Sequence, residues 1–323
     1  MRAAVLHTPG ESPTYGDHPD PRAGDGQSLV RVTAAPVVPL DLLCASGSSY
    51  FGRPAVPYVP GVQGVGLIDS SDTIPVGSRV WFASSAGMAP GDGSLAELAV
   101  VPDGDVVAFE AEVDDAAVAA LGLSAVAAWM ALAWRGRFQP GERVVVLGAG
   151  GAVGQTAVAA ARLLGAGRVV AVCRSEEARS RAVTIGADAV VPMVEDTEQL
   201  TAALAEACAG PVDVVVDPVF GTAATAASRV LAEGGRLVNL GGASGDEAIF
   251  SSALLRSRSA EVLGYTNNSL STEQRRDAVL AIVGHAAQGR LGVAHETRSL
   301  SEAAEVWQAM SSGEPTGRVV LTP

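Results

Sequence analysis

Glycines 148, 151 and 154 fall in Gly148-Ala149-Gly150-Gly151-Ala152-Val153-Gly154, directly after the apolar run Val144-Val145-Val146-Leu147. The residues that follow, Gln155 to Leu164, are good helix formers. Missing side chains let a backbone turn tightly and approach a pyrophosphate, and a helix N-terminus offers unpaired N–H groups and the positive end of its dipole. The spacing is GxxGxxG rather than the strict GxGxxG, so the strand–turn–helix context carries the reading. On it, Gly148, Gly151, Ala152, Val153 and Gly154 hold the phosphates of a dinucleotide. The alternative is a tight packing turn with no ligand.

The next apolar run ends Val170-Ala171-Val172-Cys173-Arg174-Ser175. A site selective for NAD places Asp or Glu at that strand end to hold both ribose hydroxyls. Here Cys173 stands there, followed by a cation and a hydroxyl. Nothing repels a 2′-phosphate, and Arg174 and Ser175, with Arg179 one helical turn on, could bind it through charge-assisted hydrogen bonds. The expected cofactor is therefore NADP (NADPH); the bland reading makes Arg174 a solvated loop arginine. Two further apolar runs, ending at Asp217 and at Leu240-Gly241-Gly242, should finish at the same sheet edge. Their loops, Asp217–Phe220 and Gly241–Gly245, are expected to line the nicotinamide half, with Asp217 and Gly241 among the cofactor-binding residues.

These residues need a parallel sheet to gather them. From Ala116 on, alanine-rich helical stretches alternate with short apolar strands, at Arg143–Leu147, Arg168–Cys173, Ala189–Pro192, Val212–Asp217, Arg236–Leu240 and near Glu261–Gly264. That alternation means βαβ units. The preceding hundred or so residues carry short strand-like runs (Ser28–Ala34, Gly64–Ile68, Arg79–Ala83, Leu95–Val101) punctuated by Pro, Gly and Asp, which predicts a compact β-rich domain. The last segment, Gly289 to Pro323, predicts a strand, a helix starting near Ser301 and a final strand Arg318–Leu321. A length of 323 residues also favours two cores over one.

A net charge of −13 argues against nucleic acid and anionic membranes as partners. The cysteines, Cys44, Cys173 and Cys208, are far apart and form no CxxC, which fits a reducing compartment and excludes a disulfide framework. The N-terminus turns polar before a secretory h-region forms, so a cytoplasmic protein is expected. Ala116 to Trp134 carries no formal charge over a length near that of a membrane span. Its alanine content, with Gly122 and Ser124 inside, predicts a buried helix instead.

The order of motifs resembles the medium-chain dehydrogenase/reductase superfamily, in its zinc-independent quinone oxidoreductase branch. It runs from Gly141-Glu142-Arg143 through the glycine loop, Leu164-Gly165-Ala166, Ile185-Gly186-Ala187-Asp188, Val216-Asp217-Pro218-Val219 and Gly234-Gly235-Arg236 to the closing Gly317-Arg318-Val319-Val320-Leu321. The resemblance covers essentially the whole chain. It implies an α/β protein with a GroES-like β-rich catalytic domain at 1–120, completed by 288–323, and a Rossmann-type doubly wound parallel sheet domain binding NADP at 121–287. Arg318 is then counted with the cofactor-binding residues, a small molecule is the substrate, and the expected assembly is a homodimer.

Zinc alcohol dehydrogenases of this superfamily place their metal donors where this chain has Val38, Val62 and Leu121. Zinc needs thiolate, imidazole or carboxylate donors, so no metal is expected. Without one, the substrate should accept a hydride readily, as a quinone or an alkene conjugated to a carbonyl does. Tyr50 and Tyr58 lie in the loop that rims the substrate cleft in relatives, and they are the candidate pocket and proton-delivery residues, with loop packing as the bland alternative. Asp41 reads as a helix N-cap. Quinone reductases usually carry Asn where Val38 stands and often Lys where Ala178 stands, so this pocket is more apolar and phosphate binding shifts to Arg174 and Arg179. Alternatives on the same scaffold are an enoyl-thioester or biosynthetic ring reductase. From other classes come a methyltransferase, which would carry its glycine loop near the front of its domain, and a nucleotide-binding protein without turnover.

Overall fold

A computed structural model describes residues 1–313 and 317–323. It divides into two compact units: Met1–Leu123 with Thr272–Gly289 and Val293–Pro323, and Ser124–Ser271 with Arg290–Gly292.

The first unit opens with a hairpin of β1 (Arg2–Val5) and β2 (Thr14–Asp17), then β3 (Gln27–Val37) and helix α1 (Pro39–Ser46). Strands β4 (Gln63–Ser70), β5 (Arg79–Ala83), β6 (Leu98–Pro102) and β7 (Val106–Ala108) follow, then helix α2 (Asp115–Met130), broken at Gly122. The long strand β3 alternates buried and half-exposed residues along its first part and pairs antiparallel with both β4 and β6, so it carries the unit's core on one face. That core joins Val30, Val32, Phe82, Leu95 and Ala99 to residues from the far end of the chain.

The second unit is built from β8 (Arg143–Val146), α3 (Ala152–Leu163), β9 (Arg168–Cys173), α4 (Glu176–Ile185), β10 (Ala189–Pro192) and α5 (Thr197–Cys208). It continues with β11 (Val212–Asp217), α6 (Gly221–Ser228), β12 (Leu231–Asn239), α7 (Ser252–Arg258) and β13 (Glu261–Gly264). The six strands are all parallel, in the order β10-β9-β8-β11-β12-β13. Successive residues of a strand point to opposite faces. Val144, Val146, Val169 and Val216 therefore pack with Ala157, Val158 and Ala161 of α3. Val145, Leu147, Val170 and Val215 pack on the other face with Leu200 and Leu204 of α5 and the alanines of α6. Burial on both faces explains why these strands are continuous apolar runs and not alternating ones. At the outer strand β10, Met193 N–H donates inward to Cys173 O, so the neighbouring Pro192 nitrogen faces the open side.

The chain then returns to the first unit through α8 (Thr272–Ala287), β14 (His295–Ser299), α9 (Ala303–Ser311) and β15 (Arg318–Thr322). Strand β15 pairs antiparallel with the end of β3 and parallel with β14. The boundaries differ from the expected 120/121 and 287/288. Helix α8 groups with the first unit because it packs beside β7, and Arg275 pairs with Asp105 there. The helical run Asp115–Arg135 is long and apolar enough to cross a membrane, but 72% of its most apolar window is buried inside the protein. A core helix is the reading that burial supports.

Candidate functional site

The second unit gathers the glycine loop, Arg174, Ser175, Arg179 and the loops after β11 and β12 at the carboxyl edge of its sheet, as βαβ connectivity requires. Gly151 is the N-cap of α3, so Ala152, Val153 and Gly154 form its first turn, whose N–H groups have no intrahelical carbonyl to bind. The glycines have separate duties. Gly148 turns at φ +60, and a Cβ there would lie 2.5 Å from Val219 Cγ1. Gly154 faces inward, where a Cβ would enter the van der Waals shells of Ala149 Cα and the Gly148 carbonyl. Gly150 lies against Ala178, whose Cβ would be 2.9 Å from an added methyl, so a longer side chain at 178 would crowd the loop. Gly151 is exposed, and the nearest atom to an added Cβ is 3.7 Å away. The loop is thus packed from beneath and open above, and it fits a dinucleotide pyrophosphate.

Beside it, Ser175 caps α4 by accepting from Ala178 N–H at 3.1 Å, which leaves its hydroxyl proton for a ligand. Arg179 donates to the Arg174 carbonyl at 2.9 Å, and Arg174 donates to Ser244 Oγ at 2.9 Å. Burial pushes the Cys173 thiol up and Arg179 opposes the shift, so the strand end is a neutral group flanked by two cations.

Asp217 does not present its carboxylate to a ligand. It is fully buried, and Oδ1 accepts from Val219 N–H (3.0 Å) and Phe220 N–H (2.7 Å). Burial pushes its carboxyl up, with the two N–H groups opposing. Its role is to hold the turn in which Phe220 takes φ +58, ψ −150, a conformation costing about 1–3 kcal/mol for any side-chain-bearing residue. That turn sets Val219 over Gly148, and the Val219 carbonyl accepts from Ser244 N–H at 2.8 Å. Gly241 follows the end of β12, its carbonyl accepting from the Asn239 amide at 2.8 Å.

The first unit holds the other cluster. Asp41 is the third residue of α1, not its N-cap: Pro39 takes the first helical position and Val38 is the cap. The buried Asp41 carboxylate accepts from Val38 N–H and from Val62 N–H, each at 2.8 Å, and so ties together two of the three positions that hold zinc donors in zinc dehydrogenases. The third, Leu121, precedes the break in α2. Gln63 Oε1 accepts from Leu123 N–H and fills the space a Cβ at Gly122 would need. Val38, Val62 and Leu121 are all buried and offer only hydrocarbon, a donor set that does not fit zinc. Cys44 is buried beside this cluster, where burial pushes its thiol up to about 12 and the Asp41 charge adds to the shift.

Arg318, expected at the cofactor, is buried at the start of β15 in this cluster, donating toward the Val37 carbonyl at 3.4 Å. Burial pulls it down to about 10, with the Asp41 charge opposing. The two tyrosines separate. Tyr50 is 79% exposed, its ring centroid 4.2 Å from that of Phe51. Tyr58 is 4% exposed, a core residue whose hydroxyl has no hydrogen-bond partner among the described residues. Burial, with Asp41 and Cys44 adding, pushes its phenol above the ordinary range. The loop thus sends one phenol into solvent and the other into the core.

Burial moves Asp41 from 3.8 up to about 6, against the pull of the Val38, Val62 and Gly61 N–H groups and Arg318. Between these values the folded chain holds the proton more tightly than the unfolded one, so stability falls as pH rises through 4–6. The gap corresponds to about 3 kcal/mol. In urea unfolding across pH 4–7, Asp41→Asn should lose that descending component while other carboxyls titrate as before. Parallel curves for the two proteins would contradict the assignment.

Comparison with known proteins agrees with this architecture. Residues 24–111 match the alcohol dehydrogenase GroES-like domain family and residues 152–283 the zinc-binding dehydrogenase family. The chain is 32% identical, over 99% of its length, to part of a phenolphthiocerol/phthiocerol polyketide synthase of Mycobacterium tuberculosis, spanning 15% of that relative. It is 29% identical to the quinone oxidoreductase of Lama guanicoe over 67% of this chain and 64% of that one. Among solved structures, the quinone oxidoreductase of Thermus thermophilus, described also in complex with NADPH, superposes with a TM-score of 0.82 at 28% identity over 100% of both chains. The chain belongs to the medium-chain dehydrogenase/reductase superfamily, among its quinone oxidoreductase-like members.

Proposed function

We propose that the protein transfers a hydride from NADPH to a quinone or an α,β-unsaturated carbonyl without a metal. The observation that carries the reaction class is the hydrocarbon surface at Val38, Val62 and Leu121. With no Lewis acid to polarise a simple ketone, the acceptor must be activated by its own conjugation. NADPH supplies the hydride; the protein's task is binding, orientation and exclusion of water. The first turn of α3 takes the pyrophosphate, Arg174, Arg179 and Ser175 take the 2′-phosphate, and the turn held by Asp217 shapes the edge between them. The accompanying proton comes from water, since Tyr58 is buried and Tyr50 lies in solvent.

A second reading, reduction of an enoyl thioester, is favoured by the likeness over 99% of the chain to part of a polyketide synthase. Thermal unfolding with NADPH, NADH or S-adenosylmethionine, followed by NADPH oxidation with quinones, enones, enoyl thioesters and saturated ketones, tests both readings. At a hundred times its dissociation constant NADPH should add ~2.7 kcal/mol. Conjugated acceptors should turn over, indifferent to a chelator, and the fastest class names the substrate. No stabilisation by NADPH, or equal rates with saturated ketones, would refute the proposal.

A further inference from the structure

Arg174 lies one residue past the end of β9, and Ser244 lies in the loop after β12, yet Arg174 Nη2 donates to Ser244 Oγ at 2.9 Å. In the sheet, β9 and β12 are separated by β8 and β11, whose ends carry the glycine loop and the Asp217–Gly221 turn. Three inter-strand steps amount to roughly 14 Å. The side chain does not cover that span alone: the Gly241–Gly245 loop folds back so that Ser244 lies against the turn after β11, and the Arg174 guanidinium reaches from the end of β9 past the end of β8 to meet it. Both ends of the contact are anchored. Ser244 N–H donates to the Val219 carbonyl at 2.8 Å, and the Arg174 carbonyl accepts from Arg179 at 2.9 Å.

Resting on the assignment of this edge to NADPH, we propose that the Arg174–Ser244 hydrogen bond is a strap across the cofactor edge that any dinucleotide must displace. Ser244 then sets the absolute affinity for dinucleotides, while Arg174 sets the preference for the phosphorylated one. Once released from Ser244, the Arg174 guanidinium is free to meet a 2′-phosphate; NADH offers it no such partner. The strapped state lowers the competent fraction, so the apparent dissociation constant of either dinucleotide rises by the factor the hydrogen bond contributes.

The test is titration of NADPH and NADH into the full-length protein and into Ser244→Ala, Arg174→Ala and the double variant. Ser244→Ala should tighten both dinucleotides by the same factor, about three- to tenfold for a hydrogen bond to a charged group at a solvent-exposed edge, with the preference unchanged. In the Arg174→Ala background the serine substitution should change nothing. Unchanged or weaker binding by Ser244→Ala, or the same gain in the Arg174→Ala background, would overturn the strap. An unchanged NADPH-to-NADH preference in Arg174→Ala would instead overturn the phosphate assignment, a separate readout.

Discussion

Gly154→Ala is expected to weaken NADPH binding at least about a hundredfold and to destabilise the second unit by roughly 3 kcal/mol, the upper end for overpacking a close-packed site. The added methyl would meet backbone, Ala149 Cα and the Gly148 carbonyl, so no side chain can yield. Helix α3 must move away from the end of β8, carrying with it the N–H groups that face the pyrophosphate. Gly151→Ala is the control. Its Cβ would make only an ordinary 3.7 Å contact, so unfolding should be unaffected, and NADPH should weaken only because the ligand itself needs the space. Denaturant unfolding and NADPH titration of both variants separate packing from ligand approach. Normal NADPH affinity in Gly154→Ala would remove the glycine loop from the site.

The second large effect concerns selectivity. Arg174→Ala should lower the ratio of NADPH to NADH affinity by about ten- to a hundredfold, since hydrogen bonds between charged groups contribute about 1.5–3 kcal/mol. The loss should shrink at high salt, because the pair is solvent-exposed. NADH itself should bind about three- to tenfold better to the variant, because loss of the Ser244 contact frees the edge and NADH has no phosphate to miss the arginine. Competitive titrations at low and high salt would show it. An unchanged ratio would leave the strand end at Cys173 without a role in choosing the cofactor.

How much was legible in advance depended on whether a feature is local. Strands β9 and β11 begin and end where their apolar runs do, because burial on both faces writes itself into nearly every residue; β10, at the sheet edge and only partly buried, is bounded by the same short run. Strand β12 starts at Leu231, not Arg236: Gly234-Gly235 reads as a turn, but an irregular register with β11 absorbs it. Helix α8 carries no apolar stripe along its length: its buried residues, Ala278, Val279, Ile282 and Val283, fall only in its middle, behind a charged start. Gly151 and Arg174 are exposed at the carboxyl edge of the sheet, where residue type and position in the chain put them. Asp217, Arg318 and Tyr58 looked equally available, but their burial comes from partners distant in sequence, such as β3 for Arg318. Pro39 was a local signal for the true cap of α1, and it shows Asp41 as a tie between two loops.

The open edges of the parallel sheet are unequal, which bears on self-association. At β10 the outward-facing nitrogen of Pro192 has no hydrogen to offer, so a further strand could not complete a ladder there. Strand β13, at the opposite end, contains no proline and carries an exposed Val262. Of this sheet's two edges, β13 is therefore the one with an unbroken row of N–H groups. Pairing of two copies through β13 alone would close about a twofold axis and leave no second edge of this sheet from which a fibre could grow.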